Sequence, residues 1–255
     1  MAETSGHLAA YRRAFGQNLS VPPGAIPSRL IAVVFTNRCG SMLFTEMIGS
    51  SPDIITRYEV FNGDVVANKS REHGLDGLVP YLRFLFGRER VTYTAKIHVG
   101  QLGFLAKMGL LDAFALGIEW FLVRREDEVA QAVSHSIARQ TGQWTSHGGG
   151  EDRDPVYDFD EIRQIHRSID RDHRRLWDLA GQLELPMQEI VFERFLAAPG
   201  DVLTDAWCRI GVRPGNITLD ATRHRKQGTS LNAAFARRYR IALAGETEQG
   251  ARVAV

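Results

Sequence analysis

The sequence has few cysteines, no excess of charge of either sign and no long hydrophobic run. Its two cysteines, Cys39 and Cys208, are too few for a disulfide framework or a four-ligand zinc site. The 31 basic and 30 acidic residues leave a net charge of +1, which excludes a general binder of nucleic acids or membrane surfaces. No apolar stretch approaches about 18 residues, and the first residues lack a signal-peptide pattern. We therefore expect a cytoplasmic protein with no membrane-spanning segment.

Glycine and proline are also modest in number, at 24 and 9 of 255 residues, which excludes collagen-like and low-complexity chains. Apolar residues make up 44% of the sequence, enough to bury a core. The length predicts one domain over residues 1–255, with an N-terminal helical extension at 1–29 and a basic C-terminal segment at 223–255. The extension is expected to contact a second copy of the chain or to cover a substrate pocket.

Short apolar runs that end in polar residues alternate along the chain with helical patterns. The predicted strands are 30–36, 91–97, 119–124 and 189–195. The predicted helices are 4–19, 42–50, 75–86, 102–116, 126–140, 159–183, 199–210 and 231–243. This alternation predicts an α/β fold, a three-layer sandwich with a central parallel sheet whose ligands bind beyond the carboxyl ends of the strands.

The loop after the first strand, F-T-N-R-C-G-S-M-L-F at 35–44, has the features of an anion site. It combines a strand end, a glycine and a helix N-terminus, where free N–H groups and the helix dipole favour a phosphate. Arg38 adds a fixed positive charge. The loop lacks the second glycine and the Lys-Ser/Thr pair of a nucleoside-triphosphatase loop, and the chain has no dinucleotide fingerprint. On shape alone, a turn capped by a serine is an equal alternative.

The string N-R-C-G-S-M resembles the 5′-phosphosulfate loop of sulfotransferases, whose form is approximately R-S-G-S-T. The resemblance implies that 3′-phosphoadenosine 5′-phosphosulfate is the donor, that adenosine 3′,5′-bisphosphate is the product and that no metal takes part. Cys39 and Met42 stand where the family has serine and threonine. Beside an arginine at a helix N-terminus, Cys39 is expected to have a lowered pKa. The implied donor-binding residues of this loop are Arg38, Cys39, Gly40, Ser41 and Met42.

A second segment resembles the Stf0-type sulfotransferases, which act on trehalose or lipopolysaccharide, in R-R-x-x-x-V-x-Q-A-V-S and Q-T-G-x-W. The resemblance implies that an arginine at this strand end, Arg124 or Arg125, binds the 3′-phosphate together with Ser134. Successive strand side chains face opposite ways, so the sequence does not decide between the two arginines, and Arg124 is preferred. Near the C-terminus, R-K-Q-G-x-x-x-N-x-x-F is similar to the loop that closes over this phosphate, with Arg225, Lys226 and Gly228 as the matching positions.

The segment Tyr58-Glu59-Val60-Phe61 is similar to the Q-E-F-F segment of the Stf0-type family, whose glutamate is the proposed general base. The resemblance makes Glu59 the base and Arg38 its catalytic partner. Alone, a loop glutamate is more often a solvated charge. His98 is a rival base, because cytosolic sulfotransferases use a histidine and His98 follows a strand. The acceptor pocket is expected to include Tyr58, Phe61, Lys96, His98 and Trp144.

The resemblance implies a sulfotransferase of the P-loop-like fold with extra helices. It would move a sulfuryl group in line to a hydroxyl of a carbohydrate or glycolipid, and family members form homodimers. An inactive nucleotide-binding module and a divergent P-loop kinase are the alternatives, although no kinase signature is present. His166, Asp170 and His173 share one predicted helix and are expected on a partly exposed face rather than around a metal.

Overall fold

The computed structural model describes residues 2–144, 154–218 and 230–253, with side chains from residue 6 to residue 246 of those ranges. Its strands are β1 (Arg29–Phe35), β2 (Ile54–Thr56), β3 (Thr92–His98), β4 (Ile118–Arg124) and β5 (Gln188–Val191). Its helices are α1 (Ala2–Phe15), α2 (Ser41–Ile48), α3 (Gly63–His73), α4 (Leu78–Phe86), α5 (Val99–Lys107), α6 (Glu128–Thr141), α7 (Phe159–Gln182), α8 (Phe192–Ala197), α9 (Pro199–Ile210) and α10 (Ser230–Val253). None of the helices in these ranges is both long and apolar enough to cross a bilayer.

The five strands form one parallel sheet in the order β2-β3-β1-β4-β5. β1 lies at the centre, and six of its seven residues, Leu30 to Phe35, are buried, as its continuous apolar sequence predicts. Its last residue, Phe35, pairs with His98 on one side and with Val123 on the other. The loops that follow β1, β3 and β4 therefore meet at one edge of the sheet.

Two apolar clusters cover the two faces of the sheet, so the predicted three-layer α/β fold is confirmed. Alternate β1 residues divide between them: Leu30 belongs to the cluster with α1, α4 and α5, and Ile31 to the cluster with α2, α8 and α9. A third, smaller cluster joins α6, α7 and α10 and includes Ile162 and Tyr239. Helix α6 thus lies between the carboxyl edge of the sheet and the C-terminal helix.

Several predicted element boundaries are wrong for identifiable reasons. The strand predicted at 189–195 ends at Val191, because Phe192 and Phe195 have the spacing of a helix and form α8 instead. The helix predicted at 102–116 ends at Lys107, since Gly109 has φ 88° and its Cα lies against Val21 O, where no side chain would fit. β2 and α3 were not predicted.

The N-terminal helix α1 packs within its own chain against α3 and α5. Tyr11 is buried, and its hydroxyl donates to Phe61 O at 3.1 Å. His7 Nδ1 accepts from Gly63 N at 3.0 Å. These contacts place α1 behind the segment that carries Glu59.

Candidate active site

The loop between β1 and α2 turns sharply through two residues with positive φ. Arg38 has φ 64° and Gly40 has φ 91°. A left-handed conformation is uncommon for a non-glycine residue, and strained conformations cluster at functional sites. α2 then begins at Ser41 without a side-chain cap and without an acidic residue in its first turn, so its positive end is not neutralised there by the chain's own carboxylates.

A glycine is required at position 40 because the ring of Phe192, the first residue of α8, packs against it. A Cβ built on Gly40 would lie 2.2 Å from two atoms of the Phe192 ring. Because φ at Gly40 is also positive, a larger residue would be excluded both by strain and by this contact. The neighbour that approaches this glycine closely is therefore an aromatic ring, which supports the loop.

Arg38 and Ser134, which the resemblance assigns to different ends of the donor, are in contact. Arg38 Nε donates to Ser134 Oγ at 3.0 Å, and the guanidinium also donates to the backbone carbonyl of Trp144. Both of these acceptors are neutral. Burial of the guanidinium and the nearby charge of Arg125 lower the pKa of Arg38 below its ordinary value. Arg38 thus lies beside a hydroxyl and within the electrostatic influence of a second guanidinium, a setting that favours an anion.

Arg124 and Arg125 point in different directions. Arg124 forms an ion pair with Glu189 of β5, at 2.5 Å between Nε and Oε1, and this carboxylate raises the pKa of Arg124. Arg125 lies on the side of Arg38, with its guanidinium carbon 5.5 Å from the centroid of the Phe192 ring and its Nε 3.3 Å from Glu193 Oε1. The structure therefore favours Arg125, not the preferred Arg124, as the arginine that faces the loop.

The side chain of Cys39 points into the core and not toward the loop's outer face. It is fully buried beside Phe35 and Phe44. Burial raises the pKa of the Cys39 thiol, although hydrogen bonds from the backbone and side chain of Ser41 act in the opposite direction. The expected lowering of this pKa is therefore wrong. Met42 is half-buried in the first turn of α2.

The two thiols should therefore differ strongly in reactivity. At about pH 8 we expect a disulfide reagent such as DTNB to modify one thiol of the folded chain rapidly and the second only after unfolding, because only the thiolate is nucleophilic. Cys208, which is exposed, is the fast thiol, and Cys39 is the slow one. The measurement is the absorbance change with time for the wild type and for Cys208→Ser. A persistent fast phase in Cys208→Ser would contradict the burial of Cys39.

Glu59 is paired with Lys96 on the other side of β1. Lys96 Nζ lies 2.6 Å from Glu59 Oε1 and 4.1 Å from the centroid of the Phe35 ring. Lys96 is 4% exposed, whereas the Glu59 side chain is 39% exposed. The lysine is a buried, oriented cation, and the carboxylate extends from it toward solvent, where a second molecule can approach. Lys96 N also donates to Tyr58 O at 2.8 Å, which attaches this segment to β3.

His98 acts as the N-cap of α5. Its Nδ1 accepts from Gly100 N at 3.2 Å, and Gln101 completes a capping box by accepting from His98 N. With the Nδ1 lone pair engaged, a neutral His98 carries its proton on Nε2. In that tautomer Nε2 is a donor, which makes His98 a poor general base. The local structure therefore favours Glu59 over its rival.

Of the aromatic residues expected around the acceptor, Phe61 belongs to the core. It is fully buried and stacks on Phe86, with ring centroids 6.0 Å apart. Its predicted contact with an acceptor is therefore wrong. Tyr58 is 39% exposed and has φ 53°, and Trp144 is 45% exposed with its ring 5.6 Å from that of His135.

Replacement of Phe61 should therefore change stability. We expect Phe61→Ala to lower the free energy of unfolding by about 3–5 kcal/mol, because it leaves a cavity where the ring stacked. Phe84→Ala, on neighbouring α4, should cost much less, since Phe84 is 47% exposed. Urea denaturation of both variants measures the difference. Equal losses would contradict the core assignment.

Sequence reasoning missed a group of polar residues beneath the loop. Gln131 of α6 is fully buried and contacts Thr36 and Asn37. His173, expected on a partly exposed helix face, is buried and bonds to Glu128 at 2.9 Å. Gln131 lies in the Q-A-V-S string three residues before Ser134, a spacing that puts both on one face of a helix and that could have signalled it. Arg225, Lys226 and Gly228 lie outside the described residues.

The fold and this site together define an α/β protein that can hold a phosphate-like anion at the carboxyl edge of a parallel sheet. Arg38 and Arg125, which directly follow β1 and β4, lie there near the N-terminus of α2. Such edges are where parallel α/β proteins bind their ligands. The anion site that the loop sequence predicts would lie at this edge.

A family model described as Stf0 sulphotransferase matches residues 106–242, just over half of the chain. The chain belongs to the Stf0 sulphotransferase family, and its activity is sulfuryl transfer to a small-molecule acceptor. The match contains Arg125, Gln131 and Ser134 but neither Arg38 nor Glu59. The fold resembles the crystal structure of a sulfotransferase from Alicyclobacillus acidocaldarius, with 15% identity, a TM-score of 0.47, and 86% of this chain and 93% of that chain covered. No curated protein matches the sequence.

Proposed function

We propose that this sulfotransferase takes its sulfuryl group from 3′-phosphoadenosine 5′-phosphosulfate and transfers it to a hydroxyl of a carbohydrate or glycolipid. The observation that carries the proposal is the convergence of Arg38, Arg125 and Ser134 at one loop. Burial lowers the pKa of Arg38 and the charge of Arg125 lowers it further, and an anion bound beside the two arginines would relieve their repulsion. The proposed donor carries anionic groups at its 5′ and 3′ positions, so each of the two arginines could bind one of them.

The described residues fit the two ends of this donor. Arg38 and the N-terminus of α2 would hold the 5′-phosphosulfate, and Arg125 with Ser134 would hold the 3′-phosphate. When bound, the donor supplies an activated sulfuryl group whose transfer spreads negative charge over its oxygens. Arg38 is already oriented by Ser134 and Trp144, so it can stabilise that charge with little reorganisation.

Glu59 is the residue proposed to accept the proton of the acceptor hydroxyl. Its Oε1 is held by Lys96 at 2.6 Å, which fixes the direction of the carboxylate and leaves Oε2 to face the acceptor. Lys96 also contributes positive charge between this carboxylate and the loop, since it interacts electrostatically with Cys39. The proposed base is thus held by Lys96 of β3, and the loop of the proposed anion site follows the neighbouring strand β1.

Exposed aromatic side chains support a carbohydrate as the acceptor. Tyr58 directly precedes Glu59, and Trp144 follows α6 with its carbonyl on Arg38. Amphipathic rings of this kind provide apolar faces on which a sugar ring can stack while their polar ends reach its hydroxyls. Their placement on both sides of the site is the reason for preferring a sugar or a glycolipid headgroup.

The proposed donor is tested first by calorimetric titration with adenosine 3′,5′-bisphosphate and with ADP, without magnesium. The proposal predicts tight binding of the bisphosphate and little binding of ADP, because only the bisphosphate has a 3′-phosphate. Equal binding, or none of either nucleotide, would remove the assignment of Arg125 and Ser134. Transfer of labelled sulfate to a panel of sugars then identifies the acceptor.

The two adjacent arginines offer a matched comparison. We expect Arg125→Met to weaken binding of adenosine 3′,5′-bisphosphate about 10–100-fold, because the variant loses a hydrogen bond between charged groups. Arg124→Met removes an equal charge but should change the affinity less than about threefold, because Arg124 is committed to Glu189. Titration of the two variants under the same conditions decides the assignment. A larger effect from Arg124→Met would reverse it.

A further inference from the structure

A buried polar group lies directly beneath the loop, formed by Thr36, Glu128, Gln131 and His173. Gln131 Nε2 donates to Thr36 Oγ1 at 2.9 Å, and His173 Nδ1 lies 2.9 Å from Glu128 Oε1. His173 Nε2 lies 3.5 Å from Thr36 Oγ1 and closes the chain of contacts. These residues connect β1, α6 and α7 under the strained turn at Arg38.

Gln131 is the member of this group that holds the backbone of the loop. Its Nε2 also donates to Asn37 O at 2.8 Å. A carbonyl only accepts, so this contact fixes the orientation of the Gln131 amide. Gln131 Oε1 is then left buried without a hydrogen-bond partner in the described part of the chain. An unpaired buried acceptor costs free energy of folding. The amide orientation is therefore fixed by the contact with the loop carbonyl and not by a hydrogen bond to the glutamine oxygen.

The direction of the Asn37 carbonyl determines the direction of the next N–H group. In a trans peptide the carbonyl and the following N–H point to opposite sides of the bond. Because Asn37 O faces Gln131, the N–H of Arg38 points to the opposite side of this peptide, away from Gln131. The same arrangement accompanies the positive φ of Arg38.

Helix α6 therefore orients both the backbone and the side chain of Arg38. Gln131 controls its peptide N–H through Asn37, and Ser134, one turn later, binds its guanidinium at 3.0 Å. Both contacts come from one face of one helix, so the main chain and the side chain of Arg38 are set together.

We propose that Gln131 is a positioning residue that orients the Asn37–Arg38 peptide for the 5′-phosphosulfate end of the donor. This inference rests on the proposed donor and adds a residue that acts on one end of it only. Loss of the Gln131 amide lets the peptide rotate and withdraws a backbone donor from the 5′ end. The 3′-phosphate, held by Arg125, keeps its contacts.

The test compares two nucleotides in Gln131→Met. Dissociation constants are measured for adenosine 3′,5′-bisphosphate by titration and for adenosine 3′-monophosphate by displacement of the bisphosphate, so that millimolar constants are resolved. The proposal expects the bisphosphate to bind at least about tenfold more weakly, since a charge-assisted hydrogen bond is worth about that much. The monophosphate should change less than about threefold.

Gln140→Met is the matched control, because Gln140 also lies on α6 and donates to a backbone carbonyl, that of Val156, away from the loop. It should leave the ratio of the two constants unchanged. Gln131→Asn, which keeps an amide but shortens it, is expected to show the same selective loss and serves if the methionine variant fails to fold. Parallel weakening of both nucleotides, or no change, would overturn the inference. A wild-type chain that binds neither nucleotide would instead overturn the proposed donor.

Discussion

Replacement of Glu59 by glutamine is expected to lower turnover by about 10²–10⁴-fold while nucleotide affinity stays within about twofold of the wild type. General-base catalysis contributes a factor of this size, and glutamine cannot accept a proton. The amide oxygen of the variant can still accept from Lys96, so the local structure should persist. The measurements are kcat in a sulfate-transfer assay and titration with adenosine 3′,5′-bisphosphate.

Glu72→Gln is the control for this experiment, since Glu72 is an exposed glutamate of α3 outside the site. It should leave both quantities unchanged. Near-normal turnover in Glu59→Gln would discard Glu59 as the base. His98 would not replace it easily, because its Nδ1 caps α5.

Replacement of Arg38 by glycine is expected to remove nucleotide binding with little loss of stability. The guanidinium is the central donor of the site, and loss of one such donor typically costs about 10²–10³-fold in rate. We expect a fall of similar size in affinity for adenosine 3′,5′-bisphosphate. The fold should tolerate the change, because glycine adopts positive φ without strain and the repulsion between Arg38 and Arg125 disappears.

Arg90→Gly provides a close control for Arg38→Gly. Arg90 also has a positive φ, at 57°, and is an exposed arginine remote from the loop in the sequence. Both variants should change the free energy of unfolding by amounts that agree within about 1 kcal/mol. Only Arg38→Gly should affect the nucleotide. A large loss of stability confined to Arg38→Gly would mean that Arg38 mainly supports the fold.

The sheet was predictable wherever strands are buried on both faces. β1 and β4 are continuous apolar runs followed by arginine-containing loops, and both lie where the sequence predicts. β2 has only three residues, and α3 buries little beyond Val66, so neither leaves a clear periodic pattern. The residues of short edge strands and polar helices take their structure from tertiary contacts that a single sequence does not contain.

The candidate site was predictable as a set of residues but not as a geometry. The loop motif leads to Arg38 and the segment after β4 leads to Ser134, and the structure brings these two side chains to 3.0 Å from each other. The sequence of the segment after β4 cannot separate Arg124 from Arg125. Neighbouring residues at a strand end face opposite sides, and which side faces the loop depends on how the helices pack against the sheet. Phe61 is next to the candidate base in sequence, yet the packing of α1 and α4 turns it into the core.

Helix α1 holds the segment that carries the candidate base through Tyr11 and His7. A chain trimmed to the start of β1 would keep every described residue assigned to the nucleotide, but it would lose the helix that packs behind the segment carrying Glu59. Because Tyr11 and Phe15 belong to the main apolar cluster, we expect such a protein to be less stable and to turn over more slowly. The amino-terminal helix is thus expected to support the proposed base by packing behind its segment, without itself contributing a group to the proposed reaction.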